Sequence, residues 1–369
     1  MYSECKDYCS TMGNSLRRAL LGLSGPIMIT GHTGFKGVWM TLLLERLGVE
    51  VVGLALAPKE NSLYANLNRV GEIEESFTDI RNYEGVSKFV NLVKPSVILH
   101  FAAQPLVLDS FAHPRETFEI NTMGTVNILD IAQNSEAVHI VIATTTDKVY
   151  KNDNTGKHFL ESDALEGLDP YSASKVGAEA AVKAWQEMSV FNGRPKYISV
   201  RSGNVIGGGD MAENRLLPDI VKSLINQEKI VLRNPDSTRP WQHVLDPLYG
   251  YLLVLAKAID GDCSEVYNFG PTSKSITVNE VAKIASRVWE SNHPISSLPQ
   301  LENTKKEANI LNLNSNKARD ELNWKNVWSQ EQSIENTIRW WHKVSLQNFD
   351  MNSACQSDID KLFEALKLD

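Results

Sequence analysis

Tyr171 and Lys175 stand four residues apart in an alanine-rich run that reads as helix, so they share one face. A phenol ordinarily keeps its proton up to pH about 10, and a neighbouring ammonium favours the phenolate. Such a phenolate can take the proton of an alcohol while hydride leaves the same carbon for a nicotinamide. On an isolated helix this spacing is common and marks only a solvated face. Its setting points further. Upstream, Thr144-Thr145-Thr146-Asp147-Lys148-Val149-Tyr150 follows a short apolar strand. Polar groups at the carboxyl end of a parallel strand face the crevice where ligands bind. Thr146 is placed to hydrogen-bond the reacting hydroxyl. Asp147 with Lys148 is either a surface ion pair or an acid and a cation for a further step.

A second constellation is Gly31-His32-Thr33-Gly34-Phe35-Lys36-Gly37, spaced G-x-x-G-x-x-G. A dinucleotide pyrophosphate needs a helix N-terminus with exposed backbone N–H groups and no Cβ in the way. The triplet supplies both, after the strand Pro26–Thr30 and before an apolar-periodic helix, Val38–Leu47. The second strand ends in Ala55-Leu56-Ala57-Pro58-Lys59, without the acid that reads a ribose 2′-hydroxyl or the arginine that reads a 2′-phosphate. The residues therefore leave NAD and NADP both open. Asp79 follows a third strand and can accept a bond from an adenine amino group.

These residues must be held by alternating elements. Strands are expected at Glu50–Leu56, Ser96–Phe101, His139–Ala143 and Tyr197–Arg201, and helices at Arg115–Ile131 and Tyr171–Met188. The alternation predicts an α/β fold: a Rossmann-type doubly wound, mostly parallel sheet covered on both faces. After about residue 205 the pattern loosens, predicting a smaller mixed α/β substrate domain. The expected organisation is a leader over 1–24, a cofactor domain over 25–205, a substrate domain over 206–344 that can exchange segments with the first, and a tail over 345–369 in which Ile359–Leu368 can form a short amphipathic helix, read as surface in preference to an interface.

The chain has 369 residues, 22% of them charged, and a net charge of −8, which disfavours broad binding to a nucleic-acid backbone. No apolar run reaches the roughly 18–20 residues that cross a bilayer. Cys5, Cys9, Cys263 and Cys355 have no metal-ligand spacing, so no metal site is expected. So few cysteines in so long a chain fit a reducing cytoplasm.

Together these motifs resemble the extended short-chain dehydrogenase/reductase family. They resemble its nucleotide-sugar 4,6-dehydratases, and among those the members that act on CDP-glucose. The resemblance runs from about Pro26 to Val344. It adds His100-Phe101-Ala102-Ala103-Gln104-Pro105, Arg201-Ser202-Gly203-Asn204-Val205-Ile206-Gly207-Gly208-Gly209-Asp210 and Arg239-Pro240-Trp241-Gln242-His243-Val244 to the motifs above. It implies a retained NAD, held by Gly31, Thr33, Gly34, Phe35, Lys36, Gly37, Asp79, Ile80, Phe101, Ala102, Ala103 and Gln104, with Tyr171 and Lys175. It implies that Thr146 and Tyr171 bind the sugar 4-hydroxyl with Tyr171 as base. Asp147 protonates the departing C6 hydroxyl, and Lys148 assists loss of the C5 proton or stabilises the enolate. It places Asn204, Arg215, Arg239 and His243 at the nucleotide-sugar substrate, an ordinary hydrogen-bonded core histidine being an equal reading of His243, and it implies a homodimer through the Tyr171 helix and the helix near 115–131. An epimerase or decarboxylase would share the glycine turn, Tyr171 and Lys175 but would not need Asp147 and Lys148. A cofactor-binding regulator without catalysis would typically lack Tyr171 or Lys175. The chain departs from the family at Leu108 and Phe111, where an arginine and a tyrosine are usual.

Overall fold

In the computed structural model, residues 15–193, 195–273, 275–297, 311–347 and 349–368 are described. Seven parallel strands form the central sheet: β1 (Ile27–Thr30), β2 (Val51–Ala55), β3 (Glu74–Phe77), β4 (Val97–His100), β5 (Ile140–Thr144), β6 (Lys196–Ser202) and β7 (Val266–Phe269). Their order across the sheet is β7-β6-β5-β4-β1-β2-β3. The inner strands β1, β2, β4 and β5 are mostly apolar because both faces are covered, whereas the edge strand β3 is polar and partly exposed. Met28, Val52, Leu54, Ile98 and Val141 pack with helices α2 (Tyr83–Val93), α3 (Gly124–Gln133) and α4 (Pro170–Asn192). Alternate residues, Ile27, Ile29, Leu99, Ile142 and Val200, pack with α1 (Phe35–Arg46), α5 (Leu245–Asp260), α6 (Gln330–Leu346) and α7 (Met351–Leu366). This alternation is the period of two that a strand imposes. The order reverses at β1, so the crevice outside the carboxyl ends of β1 and β4 is the place where such sheets bind ligands.

The expected strands and helices over 25–205 are present, with ends displaced by a few residues. One expected helix differs. The run over 115–131 is interrupted by a wide π-type turn, Glu119–Met123, between Pro114–Phe118 and α3. An extra residue in a turn re-aims side chains and recurs at functional sites, and here it swings Asn121 inward.

Three expected boundaries shift. The cofactor unit extends past residue 205 through the exchange of segments the sequence left open: α5 covers the sheet and β7 pairs with β6, so the chain returns to complete the first layer. The segment over 345–369 is not a surface tail. Asp350 caps α7, and Cys355, Ile359, Leu362 and Phe363 are buried in the main core. The amphipathic stripe legible over Ile359–Leu368 thus docks on the core, where the surface role was expected. The leader reading fails in part: residues 15–21 are helical and bury Leu16 and Leu20 in the same core, while residues 1–14, with Cys5 and Cys9, lie outside the described residues. The remainder of the second unit is built of short paired strands, Asn204–Ile206 with Trp241–His243 and Thr238–Arg239 with Ile276–Thr277. Among the described residues no helix is long and apolar enough to cross a membrane.

Candidate active site

β5 ends at Thr144, and Thr145 continues its ladder with one more bond, to the Val200 carbonyl at 2.9 Å. Thr146 then caps a single tight turn, Asp147–Val149, accepting from Lys148 N at 3.3 Å and donating to Asp147 Oδ1 at 3.1 Å. Asp147 is buried, with the Lys148 ammonium 3.5 Å from its carboxylate. The ion pair is therefore part of the crevice and not a solvated surface pair.

Tyr171 opens α4. Asp169 accepts Ser172 N at 2.9 Å, Pro170 supplies a preset first turn, and Ser110 Oγ accepts Tyr171 N at 3.1 Å. Burial raises the phenol above its ordinary pKa. Lys148 opposes this foremost, the hydrogen bond with Thr146 also lowers it, the Asp147 charge raises it and Arg215 lowers it. Tyr171, Thr146, Asp147, Lys148 and Arg215 thus share one site. In the free protein Lys148 is the foremost cation opposing the rise of the phenol pKa. The helix spacing brings Lys175 to the same face, but its Nζ donates to the Thr144 carbonyl at 3.2 Å, and burial brings its own pKa down to about 8 against the pull of Glu179.

The glycine turn has the shape a dinucleotide needs. Gly31 has φ +75°, and a Cβ there would sit 2.8 Å from Ala102 N; one on Gly37 would sit 2.1 Å from the Gly31 carbonyl oxygen. Only glycine allows that left-handed backbone and that approach. Gly34 caps α1 with no side-chain hydrogen bond, so the first-turn N–H groups of Phe35 and Lys36 are left for an outside acceptor. A pyrophosphate fits this cradle. Thr33 Oγ1 donates to the Leu56 carbonyl at 3.1 Å, fastening the turn to the end of β2.

On one side of the turn, Ile80 is buried beneath Gly124, and Asp79 is held below its ordinary pKa chiefly by Arg81. Arg81 donates to both Asp79 oxygens, at 2.7 and 3.1 Å, which leaves that carboxylate little capacity for an adenine amino group. On the other side a directed chain of hydrogen bonds fixes the Phe101–Gln104 loop. Phe101 N and Ala102 N donate to Thr30 Oγ1 at 3.1 and 3.2 Å. Thr30 then donates to His100 Nδ1 at 2.7 Å, and His100 Nε2 donates to Thr125 Oγ1 at 3.0 Å, which donates to the Asn121 carbonyl. Burial lowers the His100 pKa to about 3, so this imidazole is neutral. Asn121 closes the loop onto α4: Oδ1 accepts Gln104 N at 2.8 Å, and Nδ2 donates to the Gln104 carbonyl at 3.0 Å and to Ser174 Oγ at 2.9 Å. Ala103 lies within this tethered loop.

The substrate-side residues divide. Asn204 Oδ1 is buried with no hydrogen-bond partner among the described residues, as an acceptor awaiting a ligand would be. Arg215 pairs with Asp210 at 3.0 Å and keeps its charge near Tyr171 and Lys36. Arg239 lies half-buried on Thr238–Arg239 and donates to the Thr238 carbonyl at 2.8 Å; the next residue, Pro240, packs on Gly203 beside Asp147. His243 takes the core alternative: it is buried between Trp39 and Trp328, with Nε2 3.7 Å from Asp358 on α7. Its short strand pairs with Asn204–Ile206, so the motif was real while the side chain faces the other way.

Sequence reasoning missed three features. Glu179 binds Arg201 through both oxygens at 2.7 and 2.8 Å, and also holds the Thr145 hydroxyl, directly beneath the strand end that carries Asp147. The signal was present, since Glu179 follows Lys175 by one further helical turn. Asn121 was hidden by the π-type turn. The third is only the direction of the Lys36 side chain, a residue already named at the cofactor turn: its Nζ donates to Ser202 Oγ at 2.9 Å, and burial first, then Arg215 and Lys175, bring its pKa down to about 7.

Residues 28–337 match the family model described as GDP-mannose 4,6 dehydratase. The chain belongs to this dehydratase family. Within it, the chain is 37% identical over 350 residues to a CDP-glucose 4,6-dehydratase of Salmonella typhimurium, covering 92% of this chain and 96% of the relative. It is 26% identical over 345 residues to a human dTDP-D-glucose 4,6-dehydratase, covering 87% and 91%. The fold matches a dTDP-glucose 4,6-dehydratase of Bacillus anthracis solved with NAD, at TM-score 0.74 and 22% identity over 87% of this chain and 97% of that one. It matches a UDP-glucose 4-epimerase of Thermotoga maritima equally well, at TM-score 0.75 and 21% identity over 86% and 99%. The scaffold of this 4,6-dehydratase family therefore does not by itself separate elimination from epimerisation.

Proposed function

We propose that the chain is an NAD-dependent hydro-lyase that converts CDP-glucose to CDP-4-keto-6-deoxyglucose, for deoxysugar biosynthesis in the cytoplasm. The observation that carries this is the buried Asp147, paired with Lys148 and hydrogen-bonded by Thr146 next to the Tyr171 phenol. Epimerisation requires only the phenol and a hydride acceptor, whereas loss of water requires a proton donor for the leaving hydroxyl and a means to carry the charge left at C4. The CDP-glucose relative supplies the nucleotide assignment.

NAD held by the Gly31–Gly37 turn would supply both the acceptor for the C4 hydride and its later donor to C6, so no net reduction would occur. Tyr171 takes the 4-hydroxyl proton while Thr146 orients that oxygen. The 4-ketone acidifies the C5 proton. With one proton shared between the two side chains, Asp147 gives it to the departing C6 hydroxyl, which leaves as water, and Lys148 takes the C5 proton, holds the enolate charge as the resulting ammonium and returns the proton to C5 as hydride reaches C6. Lys175 fixes the nicotinamide ribose from the face it shares with Tyr171. Asn204, Arg215 and Arg239 meet the nucleotide diphosphate, a guanidinium being suited to that anion by its paired donors. The exposed apolar residues Leu108, Phe118, Met188 and Phe191, on or beside α4, support the reading of a homodimer through that helix.

The decisive experiment offers CDP-, UDP-, dTDP- and GDP-glucose side by side and reads the alkaline absorbance of the 4-keto product, with the cofactor balance followed in parallel. CDP-glucose is expected to turn over without net NADH release. Turnover of only another nucleotide removes the substrate assignment; a C4 epimer without loss of water removes the dehydratase reading.

A further inference from the structure

Two elements carry the reacting groups. Thr146, Asp147 and Lys148 sit on the turn after β5, and Tyr171 and Lys175 sit on α4. The turn has weak backbone support of its own. Thr145 N makes the last ladder bond, and the two bonds inside the turn are long, 3.5 Å from Val149 N to the Thr146 carbonyl and 3.3 Å from Tyr150 N to the Asp147 carbonyl. Two side-chain contacts fasten the strand end to α4. Lys175 Nζ donates to the Thr144 carbonyl at 3.2 Å, and the Thr145 hydroxyl donates to Glu179 Oε1. The first contact is shared, since Lys175 also serves the nicotinamide ribose in the reading above. The second is not shared. Glu179 is buried one helical turn beyond Lys175, and Arg201 on β6 holds both of its oxygens, at 2.7 and 2.8 Å. That carboxylate is a fixed anchor, and a hydrogen bond to an ionised acceptor is stronger than one between neutral groups. Arg201 also donates to the Tyr150 hydroxyl at 2.8 Å, so one ion pair holds the chain both before and after the turn.

We infer that Thr145 is a positioning residue for the loss of water: through its bond to Glu179 it fixes where Asp147 and Lys148 stand relative to a sugar held against Tyr171. The inference rests on the dehydratase reading above. Thr145 is buried and its hydroxyl is committed to Glu179, so it acts through that contact and not on the sugar. Oxidation at C4 draws on Tyr171 and on the Thr146 hydroxyl that bonds it directly. Loss of water draws on Asp147 and Lys148, which the turn alone places. A displacement of about 1 Å at a reacting group can cost about 100-fold in rate. Slack in the turn therefore slows the second step more than the first.

The test follows one addition of CDP-glucose to the full chain supplied with NAD, for wild type, Thr145→Val and Thr145→Ser. It reads the absorbance of enzyme-bound reduced cofactor, the 4-keto product at alkaline pH, and the binding of CDP by calorimetry. Thr145→Val removes the hydroxyl and keeps the shape of the side chain. It is expected to form product about 10–100-fold more slowly, with reduced cofactor accumulating and CDP binding little changed. Thr145→Ser keeps the hydroxyl and is expected to restore most of the lost rate. Equal slowing of oxidation and water loss in Thr145→Val, a Thr145→Val that matches wild type, or a Thr145→Ser as slow as Thr145→Val overturns the inference and leaves the dehydratase reading standing. A wild-type chain that forms no 4-keto product removes the parent reading and this one with it. If Thr145→Val does not fold, as judged by its thermal melt, Thr145→Ala carries the same comparison.

Discussion

Glu179 and Arg201 meet through two parallel hydrogen bonds of 2.7 and 2.8 Å, both side chains buried beneath the strand end that bears Asp147. Burial pushes the Glu179 carboxyl up, but Arg201 outweighs it and holds the group below its ordinary pKa. The same arginine donates to the Tyr150 hydroxyl at 2.8 Å, and Tyr150 donates to Asn268 on β7 at 2.7 Å. The floor of the site is therefore an ionic network that joins α4, β6 and β7.

Breaking one side of that pair leaves a buried charge alone. Glu179→Gln is expected to cost about 3–5 kcal/mol in urea unfolding at neutral pH. Because the folded carboxyl is depressed, its stabilisation is present above the ordinary carboxylate pKa of about 4.3 and is lost as pH falls through the folded value. Wild type should thus lose more stability than Glu179→Gln between pH 5 and pH 3. Parallel stability curves for the two proteins over that range would contradict the assignment.

Lys148 is the foremost cation opposing the burial-raised Tyr171. Lys148→Met should raise the phenol further, so less phenolate is present at a given pH. The rising limb of kcat/KM then moves to higher pH, and moves further than in Lys175→Met. A larger displacement in Lys175→Met would show that the cofactor-bound site reverses the order seen here.

Tyr171→Phe removes the base while keeping the ring. A loss of about 10²–10⁴-fold in turnover is expected, with binding of CDP by calorimetry little changed. Loss of CDP binding in step with turnover would make the tyrosine a packing residue.

Asp147→Asn should slow loss of water far more than oxidation at C4, so reduced cofactor accumulates on the enzyme after one addition of CDP-glucose. A decrease of about 10²–10⁴-fold in product formation is expected, read alongside the absorbance of the enzyme-bound reduced cofactor. Equal slowing of both steps would remove Asp147 from the role of acid.

Leu362 is fully buried where α7 docks on the main core. Leu362→Ala is expected to cost about 2–5 kcal/mol in unfolding free energy. A loss of under about 0.5 kcal/mol, the range of surface changes, would restore the segment to a tail.

The sequence by itself determined the elements that place the chemistry. The apolar runs at Ile27–Thr30 and Ile140–Thr144, the glycine spacing and the Tyr171–Lys175 spacing are local signals, and local periodicity survives folding because it is what the sheet and helix bury. The grouping of Thr146, Asp147, Lys148 and Tyr171 followed from them. What only tertiary structure decided was direction and distance. The outward pull of the Thr144 carbonyl on Lys175, the reach of Lys36 to Ser202 across 166 positions, and the turning of His243 into a tryptophan-lined core are set by groups distant in sequence. The return of α5 and β7 to the first layer and the docking of α7 have the same origin. Each depends on which apolar face remains uncovered once the other elements are packed, and no window of neighbouring residues contains that quantity.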